Sequence, residues 1–202
     1  KHIGTLRAYG LGNFRDLLRR ISQDPAMIYW LDGQLNVVGK PNENFGREVM
    51  ELFTLGIGHY TERDIQEAAR AFTGWTYGGI VRTAGEQARA PRRTEGFKFV
   101  PERHDGGKKT VLGKTGNLSG EDVLEILCMQ PQTARFIAAK MWAWFAGPTP
   151  SDALLDRLAN AFQKSGLEIK ALVRAIMESP EFYGESVVRK LIKNPIDFVI
   201  PV

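Results

Sequence analysis

The sequence predicts a mainly α protein, a multi-helix orthogonal bundle with a small inserted β-hairpin. Over most of the chain, apolar residues recur at spacings of three and four, which is typical of one buried helix face. Ser, Thr, Asp or Asn precedes most of these stripes and Gly or Pro follows them, which marks helix starts and ends. Alternation of apolar and polar residues is confined to residues 97–100, which we expect to pair with residues 110–112.

The first forty residues predict two short helices after a glycine-containing lead-in, residues 1–12. Asn13 is a typical N-cap, and the helix after it places its arginines on the solvent side. Asp24 caps the second helix, and Pro25 occupies its first turn, where no helical hydrogen bond is lost. The predicted apolar positions are Phe14, Leu17, Leu18 and Ile21 in the first helix, and Met27, Ile28, Trp30 and Leu31 in the second.

Residues 41–75 predict a helical hairpin, two helices joined by a tight glycine-containing turn. The first helix begins after Asn42 and ends at Gly56, because glycine adopts left-handed backbone angles at low cost. Thr61 and Asp64 form a capping box for the second helix, with Asp in place of the usual Glu or Gln. The facing apolar stripes are Phe45, Val49, Leu52 and Phe53 in the first helix, and Ile65, Ala68, Ala69 and Phe72 in the second.

We expect one helical domain over residues 1–202, with residues 76–118 forming a loop and β-hairpin insertion within it. Residues 76–96 combine glycines and charges without periodicity, which predicts a long and partly disordered loop. The chain then returns to helical spacing. We predict helices over residues 121–129, 131–145, 152–164 and 167–178, and the start of another helix in residues 186–202.

Length and composition bound the class of protein. With 202 residues and 43% hydrophobic residues, the chain can bury one sizeable core. It begins at Lys1 without Met, so we expect an internal or trimmed fragment of a longer protein. No apolar run approaches about 18 residues, so no membrane span is predicted. Cys128 is the only cysteine, which excludes an internal disulfide, and its apolar neighbours favour a buried hydrophobic role over a nucleophilic one.

Positive charge is concentrated in one segment. The net charge is +4, but residues 81–115 hold nine basic and four acidic residues, a local charge of +5. Trp75, Tyr77, Phe97 and Phe99 lie near this segment, and aromatic rings beside cations are typical of nucleic-acid sites. The charge is spread through a glycine-rich loop rather than along one helix face, which disfavours nucleic acid. A solvated, mobile loop without a ligand is the favoured interpretation. The alternative is that an anionic glycan or a partner protein binds the basic loop and the groove beside Trp75.

The central stretch also resembles a known family. NENFGREVMELFTLGIGHYTERDIQEAARAFTGW is similar to the central signature of the bacterial family called domain of unknown function 1800. The later segments RHDGGKKTVLG, PQTARFIAAKMW and SPEFY follow in that family's order. The resemblance implies a mostly helical, exported protein of the periplasm or cell surface that is considerably longer than this chain. It implies no established activity.

The candidate site combines the first helix of the hairpin with the later HDGG loop. Glu48 lies at the margin of the apolar stripe, where partial burial suits a general acid. His104 suits a base or ligand that a nearby carboxylate orients. The alternative is that Glu48 pairs with an arginine and that HDGG is a turn tying the hairpin to the helices. We predict Glu48, His104 and Asp105 as candidate catalytic residues, and Arg47, Trp75 and Lys109 as candidate ligand-binding residues.

Other catalytic and metal motifs are missing from the sequence. His2, His59 and His104 lie far apart and no HExxH occurs, so we predict no metal site. No phosphate loop and no Gly-x-Ser-x-Gly elbow is present. The sequence identifies no cofactor.

Two functions therefore stay open, and whether the protein is an enzyme is not decided. The first is a non-catalytic binding or assembly module of an exported bacterial protein. The second is a hydrolase acting on cell-surface polysaccharide or another anionic polymer, with Glu48 and either His104 or Asp105 as acid and base. The lack of a complete catalytic motif favours the first.

Overall fold

The computed structural model describes residues 2–78 and 95–191. The predicted mainly α class is confirmed, since the fold is 59% helical with two small antiparallel sheets. None of the described helices has the length and apolar character needed to cross a membrane. The described α-helices are α1 (His2–Tyr9), α2 (Phe14–Ser22), α3 (Pro25–Trp30), α4 (Glu43–Glu48), α5 (Glu62–Ala71), α6 (Gly120–Cys128), α7 (Pro131–Ala146), α8 (Asp152–Lys164) and α9 (Ile169–Met177).

The N-terminal helices begin at the predicted caps. The side chains of Asn13 and Asp24 each accept a hydrogen bond from the backbone N–H two residues later. Residues 2–9, which the sequence placed in a lead-in, form a helix with no buried residue. Helix α3 is only six residues long and buries Ile28, whereas Trp30, one of its predicted apolar positions, is exposed.

The first helix of the central hairpin changes type half-way along. The prediction of one regular helix ending at Gly56 is wrong, because α4 ends at Glu48 and a π-helix covers Val49–Thr54. The buried hydroxyl of Thr54 stabilises the wider turn, since it donates to the carbonyl of Val49, five residues earlier, at 2.7 Å. Such π-turns are rare and occur frequently at functional sites. The wider turn also shifts the buried face, since Met50 is fully buried, whereas Leu52, a predicted position of the apolar stripe, is 45% exposed. The regular helical spacing used for the prediction did not reveal this change.

The turn and second helix of the hairpin agree with the prediction. The capping box is present, with Thr61 Oγ1 accepting from Asp64 N and the Asp64 carboxylate accepting from Thr61 N. Gly56 has a φ of 81° and lies against the ring of Phe136 in α7. A Cβ at Gly56 would lie 2.9 Å from that ring, so both the backbone angle and the close packing require glycine.

The strands pair differently from the prediction. Strand β1 (Trp75–Gly78) pairs with β2 (Glu95–Phe99), and β3 (Lys109–Val111) pairs with β4 (Lys114–Gly116), all antiparallel. The predicted hairpin between residues 97–100 and 110–112 is therefore wrong. Strand β3 turns back at once through Leu112 and Gly113, both with positive φ, as two-residue hairpin turns require. The sequence concealed this turn because leucine rarely adopts such an angle.

The helices of the second half begin and end within two residues of their predicted limits. Helix α7 packs against α8, and α8 against α9. Residues 185–190 form turns, and residues 192–202 of the predicted C-terminal helix start lie outside the described residues. The predicted loop of residues 76–96 also lies mostly outside them, although its two ends belong to β1 and β2.

An aromatic cluster joins the central hairpin to the insertion. The ring of Trp75 packs edge-on against Phe72 and Phe97, with centroids 5.1 Å apart in each case. Phe45 of α4 packs against Phe72 at 4.9 Å. The core continues into the second half, where Trp142 is buried and donates from Nε1 to the carbonyl of Pro148 at 2.8 Å.

Candidate functional site

Asp105, a predicted catalytic residue, is held by Arg70 of α5. Nε of Arg70 lies 2.7 Å from Oδ2 of Asp105, and Nη2 lies 3.3 Å from Oδ1. Oδ1 also accepts from Gly107 N at 2.8 Å, which closes the HDGG turn. The hydrogen bond from Arg70 is the main cause that holds the pKa of Asp105 below its ordinary value. A carboxylate stabilised in this way is a weak general base.

His104 is oriented by Thr73, just after α5. Its Nδ1 lies 2.9 Å from the Thr73 carbonyl, and because a carbonyl only accepts, Nδ1 carries the proton and donates it. The Thr73 hydroxyl accepts from Asp105 N at 2.8 Å, so one residue fixes both members of the predicted pair. The imidazole packs edge-on against Phe99 with ring centroids 5.3 Å apart.

Lys109, a predicted ligand-binding residue, is 1% exposed. Its Nζ donates to the carbonyl of Gly107 at 3.0 Å and to Oδ1 of Asn117 at 3.4 Å. Burial lowers the pKa of the Lys109 amine, and the nearby Asp105 carboxylate partly opposes that shift. The side chain ties the HDGG turn to the residues after β4 and presents no charge to solvent.

Two carboxylates of α5 cover the free edge of β3. Glu67 Oε2 accepts from Thr110 N at 2.9 Å, and Asp64 Oδ1 accepts from Leu112 N at 2.7 Å. Thr110 and Leu112 are two residues apart, so their N–H groups point to the same edge of the strand. Asp64 and Glu67 are three residues apart on one helix face, so each carboxylate reaches one of these N–H groups. Arg70 continues this stripe and donates to the carbonyl of Lys108 at 3.2 Å. The polar side of α5 therefore docks the insertion and satisfies a strand edge.

Arg47, another predicted ligand-binding residue, pairs with carboxylates of its own hairpin. Its guanidinium makes two hydrogen bonds to Glu62, at 3.0 and 2.7 Å, and one to Glu43 at 3.3 Å. The bond to Glu62 is the largest cause that raises the pKa of Arg47. Nearby, the hydroxyl of Tyr60 donates to Glu51 at 2.7 Å, and burial together with this bond raises the pKa of Tyr60 to about 12. These contacts fasten the turn of the hairpin.

Glu48 differs from the other candidate residues. It is half-buried where α4 meets the π-helix, and no residue in the described ranges makes a hydrogen bond or ion pair with its carboxylate. The alternative prediction of a Glu48–arginine pair is not seen in that part of the chain. His104 and Asp105 are bonded to the end of α5, and no hydrogen bond joins either of them to Glu48.

Trp75 lies in the core and is 3% exposed. The space beside it is a small cavity of about 10 Å³, lined by Asn36, Phe45 and Phe72 among others. A cavity of this size holds about one water molecule. The predicted groove beside Trp75 therefore offers no room for a ligand to stack on the indole ring in this structure.

The candidate residues thus separate into three places. His104, Asp105 and Lys109 meet at the end of α5, Arg47 and Glu48 lie on α4, and Trp75 lies in the core. The HDGG turn ties the insertion to the helices, as the structural alternative predicts. Catalytic and ligand-binding roles for the six residues stay predictions. Among residues 2–78 and 95–191, no group of three or more His, Cys, Asp or Glu side chains is placed to hold a metal ion.

The structure exposes a group of apolar side chains that the sequence analysis did not combine into a candidate site, although it named Phe99 and Trp30 in other roles. Trp30 is 79% exposed, Leu35 61% and Tyr29 59%. Val38 and Phe99 are also exposed, and we call these five residues the aromatic surface. The sequence contains one sign of this exposure. Tyr29 and Trp30 are adjacent in the short helix α3, and a single buried helix face cannot cover two adjacent side chains.

Backbone and ring contacts place the parts of the aromatic surface side by side. The ring of Tyr29 packs against Tyr77 of β1 at 6.5 Å between centroids. Val38 N donates to the carbonyl of Arg103 at 2.8 Å, one residue before the imidazole that contacts Phe99. Helix α3 and the following residues to 40 therefore lie next to the β1–β2 sheet and the residues after it.

Comparison with known proteins gives a family and no function. The family model described as "Protein of unknown function (DUF1800)" matches residues 1–202, the whole chain. A search of curated proteins and a search of solved structures each found no match.

Proposed function

The chain belongs to the DUF1800 family, whose description states no function, and we propose a function from its surface. The protein is a non-catalytic module that binds an anionic polysaccharide. In this proposal the protein is bacterial and exported, as the resemblance implies. The aromatic surface is the binding site.

The observation that carries the proposal is the exposure of Trp30 and Tyr29. Large aromatic side chains are rarely left in water in a group unless they meet a ligand or partner. The flat faces of indole and phenol rings suit the C–H faces of sugar rings, as they suit the faces of nucleic-acid bases. The β1–β2 sheet supports this group through the contact between Tyr29 and Tyr77.

Charge favours an anionic ligand. Within four residues in sequence of its members, the aromatic surface has three basic and three acidic residues in the described ranges. Residues 79–94, which lie between β1 and β2 in the sequence, contain four arginines and one glutamate, a charge of +3. A polyanion lying across rings and cations at once gains both stacking and charge attraction. These basic residues are Lys40, Lys98 and Arg103, and the acidic ones are Asp32, Glu95 and Glu102.

A non-catalytic role is supported by what the polar groups of the signature already do. Asp64, Glu67 and Arg70 dock the insertion, and Arg47 fastens the hairpin turn. Asp105 is paired with Arg70, which leaves it a weak base. These groups serve folding in the described part of the chain.

The test is binding to alginate, a linear polymer of uronic acids, with uncharged dextran as comparison. We expect alginate to bind and dextran to bind more weakly, with affinity that falls as salt is added. Trp30→Ala is expected to weaken alginate binding about tenfold, since stacking on one ring contributes ~1–3 kcal/mol.

The matched control is Trp144→Ala, because Trp144 is 68% exposed but lies on α7. We expect this variant to bind alginate like the unaltered chain. Equal losses in both variants, or equal binding of dextran and alginate, would overturn the proposal.

A second candidate function rests on Glu48, the half-buried signature carboxylate with no bonding partner among the described residues. In the hydrolase alternative, Glu48 is the general acid for cleavage of a polymer. The hydrolase predicts new reducing ends when the chain is incubated with alginate, and their loss in Glu48→Gln. The binding proposal predicts none in either protein.

A further inference from the structure

A second concave site lies between α2 and α6. The cleft has a volume of about 410 Å³, within the range of roughly 300–1,000 Å³ that is usual for small-molecule sites. Arg15 and Arg19 line it from α2, and Glu121 and Glu125 line it from α6. None of the residues of the aromatic surface lines it.

Opposite charges face each other across this cleft. The guanidinium of Arg15 contacts the carboxylate of Glu125, and Gln23 Nε2 donates to Glu121 Oε1 at 2.8 Å. Higher numbers on α2 meet lower numbers on α6, so the two helices run antiparallel. Arg19 lies between Arg15 and Gln23 in the sequence and pairs with Asp16 of its own helix at 3.2 Å.

The pairs that line the cleft are easily exchanged for a ligand. The side chains of Arg15 and Glu125 are 42% and 41% exposed, and those of Arg19 and Asp16 are 51% and 54% exposed. Ion pairs with this much access to water contribute little to the free energy of folding, so a bound ligand can replace them with little loss of stability.

The floor of the cleft is chemically inert. Cys128 is 5% exposed, as its apolar neighbours predicted, and burial raises the pKa of its thiol to about 12. The thiol therefore stays protonated and offers an apolar contact beside Leu124. The carboxylate of Asp122 takes part in the cap of α6, where its Oδ2 accepts a hydrogen bond from Ser119 N at 2.8 Å.

We propose that this cleft binds a small zwitterion, a molecule with both a carboxylate and an ammonium group, such as an amino acid or short peptide. The carboxylate lies against Arg15 and Arg19, and the ammonium lies against Glu121 and Glu125. The opposed charged walls carry this inference, and it is independent of the polysaccharide proposal.

The probes are three ω-amino acids of increasing length, 4-aminobutanoate, 6-aminohexanoate and 8-aminooctanoate. Hexylamine and hexanoate, which carry only one of the two charges, are the matched comparisons. Binding is followed by backbone amide NMR shifts. We expect at least one ω-amino acid to bind in the millimolar range, about fivefold more tightly than either single-charge probe, and to shift amides of α2 and α6.

Variants at the two walls test the assignment. Arg19→Gln and Glu121→Gln are each expected to weaken binding about fivefold. Arg157→Gln, which removes a similarly exposed cation of α8 that pairs with Glu181, should leave the binding unchanged. Equal binding of hexylamine would mean a simple cation site and would overturn the proposal, as would equal binding of hexanoate. Failure of every ω-amino acid to bind at tens of millimolar would also overturn it.

Discussion

Asp105 shows how a single residue of the HDGG turn contributes to the fold. Its carboxylate receives two bonds from the Arg70 guanidinium and one from the Gly107 amide, and its side chain is 21% exposed. Charge-assisted bonds of this kind, partly removed from water, are stronger than surface ion pairs. Asp105 therefore acts mainly as the residue that fixes the insertion to α5.

Replacing Asp105 with Asn tests that role. The variant keeps the shape but loses the charge, and we expect its free energy of unfolding to fall by ~1.5–3 kcal/mol at pH 7. Urea denaturation measures the change, with Glu181→Gln as control because its pair with Arg157 is exposed. Similar losses in the two variants would contradict a special role for Asp105.

The pH dependence of stability follows from the same group. The pKa of Asp105 is lowered in the folded state, chiefly by Arg70, so the folded state binds fewer protons than the unfolded one in acid. The stabilisation is therefore full above the ordinary Asp pKa near 4 and is lost as pH falls through the lower folded pKa. We expect the difference in unfolding free energy between the unaltered chain and Asp105→Asn to shrink below about pH 4. A difference that stays constant into acid would contradict this.

At the scale of elements, the turn between the π-helix and α5 depends on two glycines with different demands. Gly56 and Gly58 both have positive φ, 81° and 86°. A Cβ at Gly56 meets the Phe136 ring at 2.9 Å, whereas a Cβ at Gly58 meets nothing within 4 Å. Gly56 is therefore required by both its backbone angle and its packing, and Gly58 by its backbone angle alone.

This pair gives an internally controlled prediction. Gly58→Ala is expected to lower the free energy of unfolding by about 1 kcal/mol, the cost of a left-handed alanine. Gly56→Ala adds the steric clash and is expected to cost ~2–4 kcal/mol. Thermal or urea unfolding of both variants measures the difference. Equal costs would show that the α7 contact does not constrain this turn.

The edge of β3 gives a prediction about local stability. Glu67 holds the Thr110 amide, and Asp64 holds the Leu112 amide. In Glu67→Ala, the exchange of the Thr110 amide hydrogen should accelerate about tenfold or more, because a charge-assisted bond is lost. The Leu112 amide, which keeps its own partner, should change less. Equal acceleration at both amides would indicate that the whole insertion has loosened instead.

Local chemistry explains which elements the sequence could predict. Each helix cap involves residues two or three positions apart, so the local sequence was sufficient to predict it. These caps are at Asn13, Asp24, Thr61 and Ser119. The π-helix depends on a hydroxyl bonding five residues back, and the pairing of β1 with β2 depends on contacts across a long connection. Neither leaves a periodic trace in the sequence.

At the scale of the whole molecule, the signature hairpin is the part to which the other parts attach. Its α5 face binds the insertion, its glycine turn packs on α7, and Lys140 of α7 donates to the Leu52 carbonyl at 2.8 Å. The sequence analysis placed its candidate residues on this hairpin and in the HDGG turn. It could not distinguish groups that face a ligand from groups that face another element, because that depends on tertiary packing.

The same limit explains why the aromatic surface was missed. Trp30 and Tyr29 have apolar side chains at helical positions, and composition alone favours burying them. Only the shortness of α3 and the position of the β1–β2 sheet leave them in solvent. A function placed on this surface therefore needs a measurement on the intact chain.

The most direct measurement is an amide NMR titration with alginate hexasaccharide, combined with an assay for new reducing ends. The polysaccharide-binding account predicts shifts concentrated in residues 29–40, 75–78 and 96–104, with no reducing ends released. Shifts centred on Glu48 and the π-helix, together with cleavage of the hexasaccharide, would contradict it and establish the hydrolase instead.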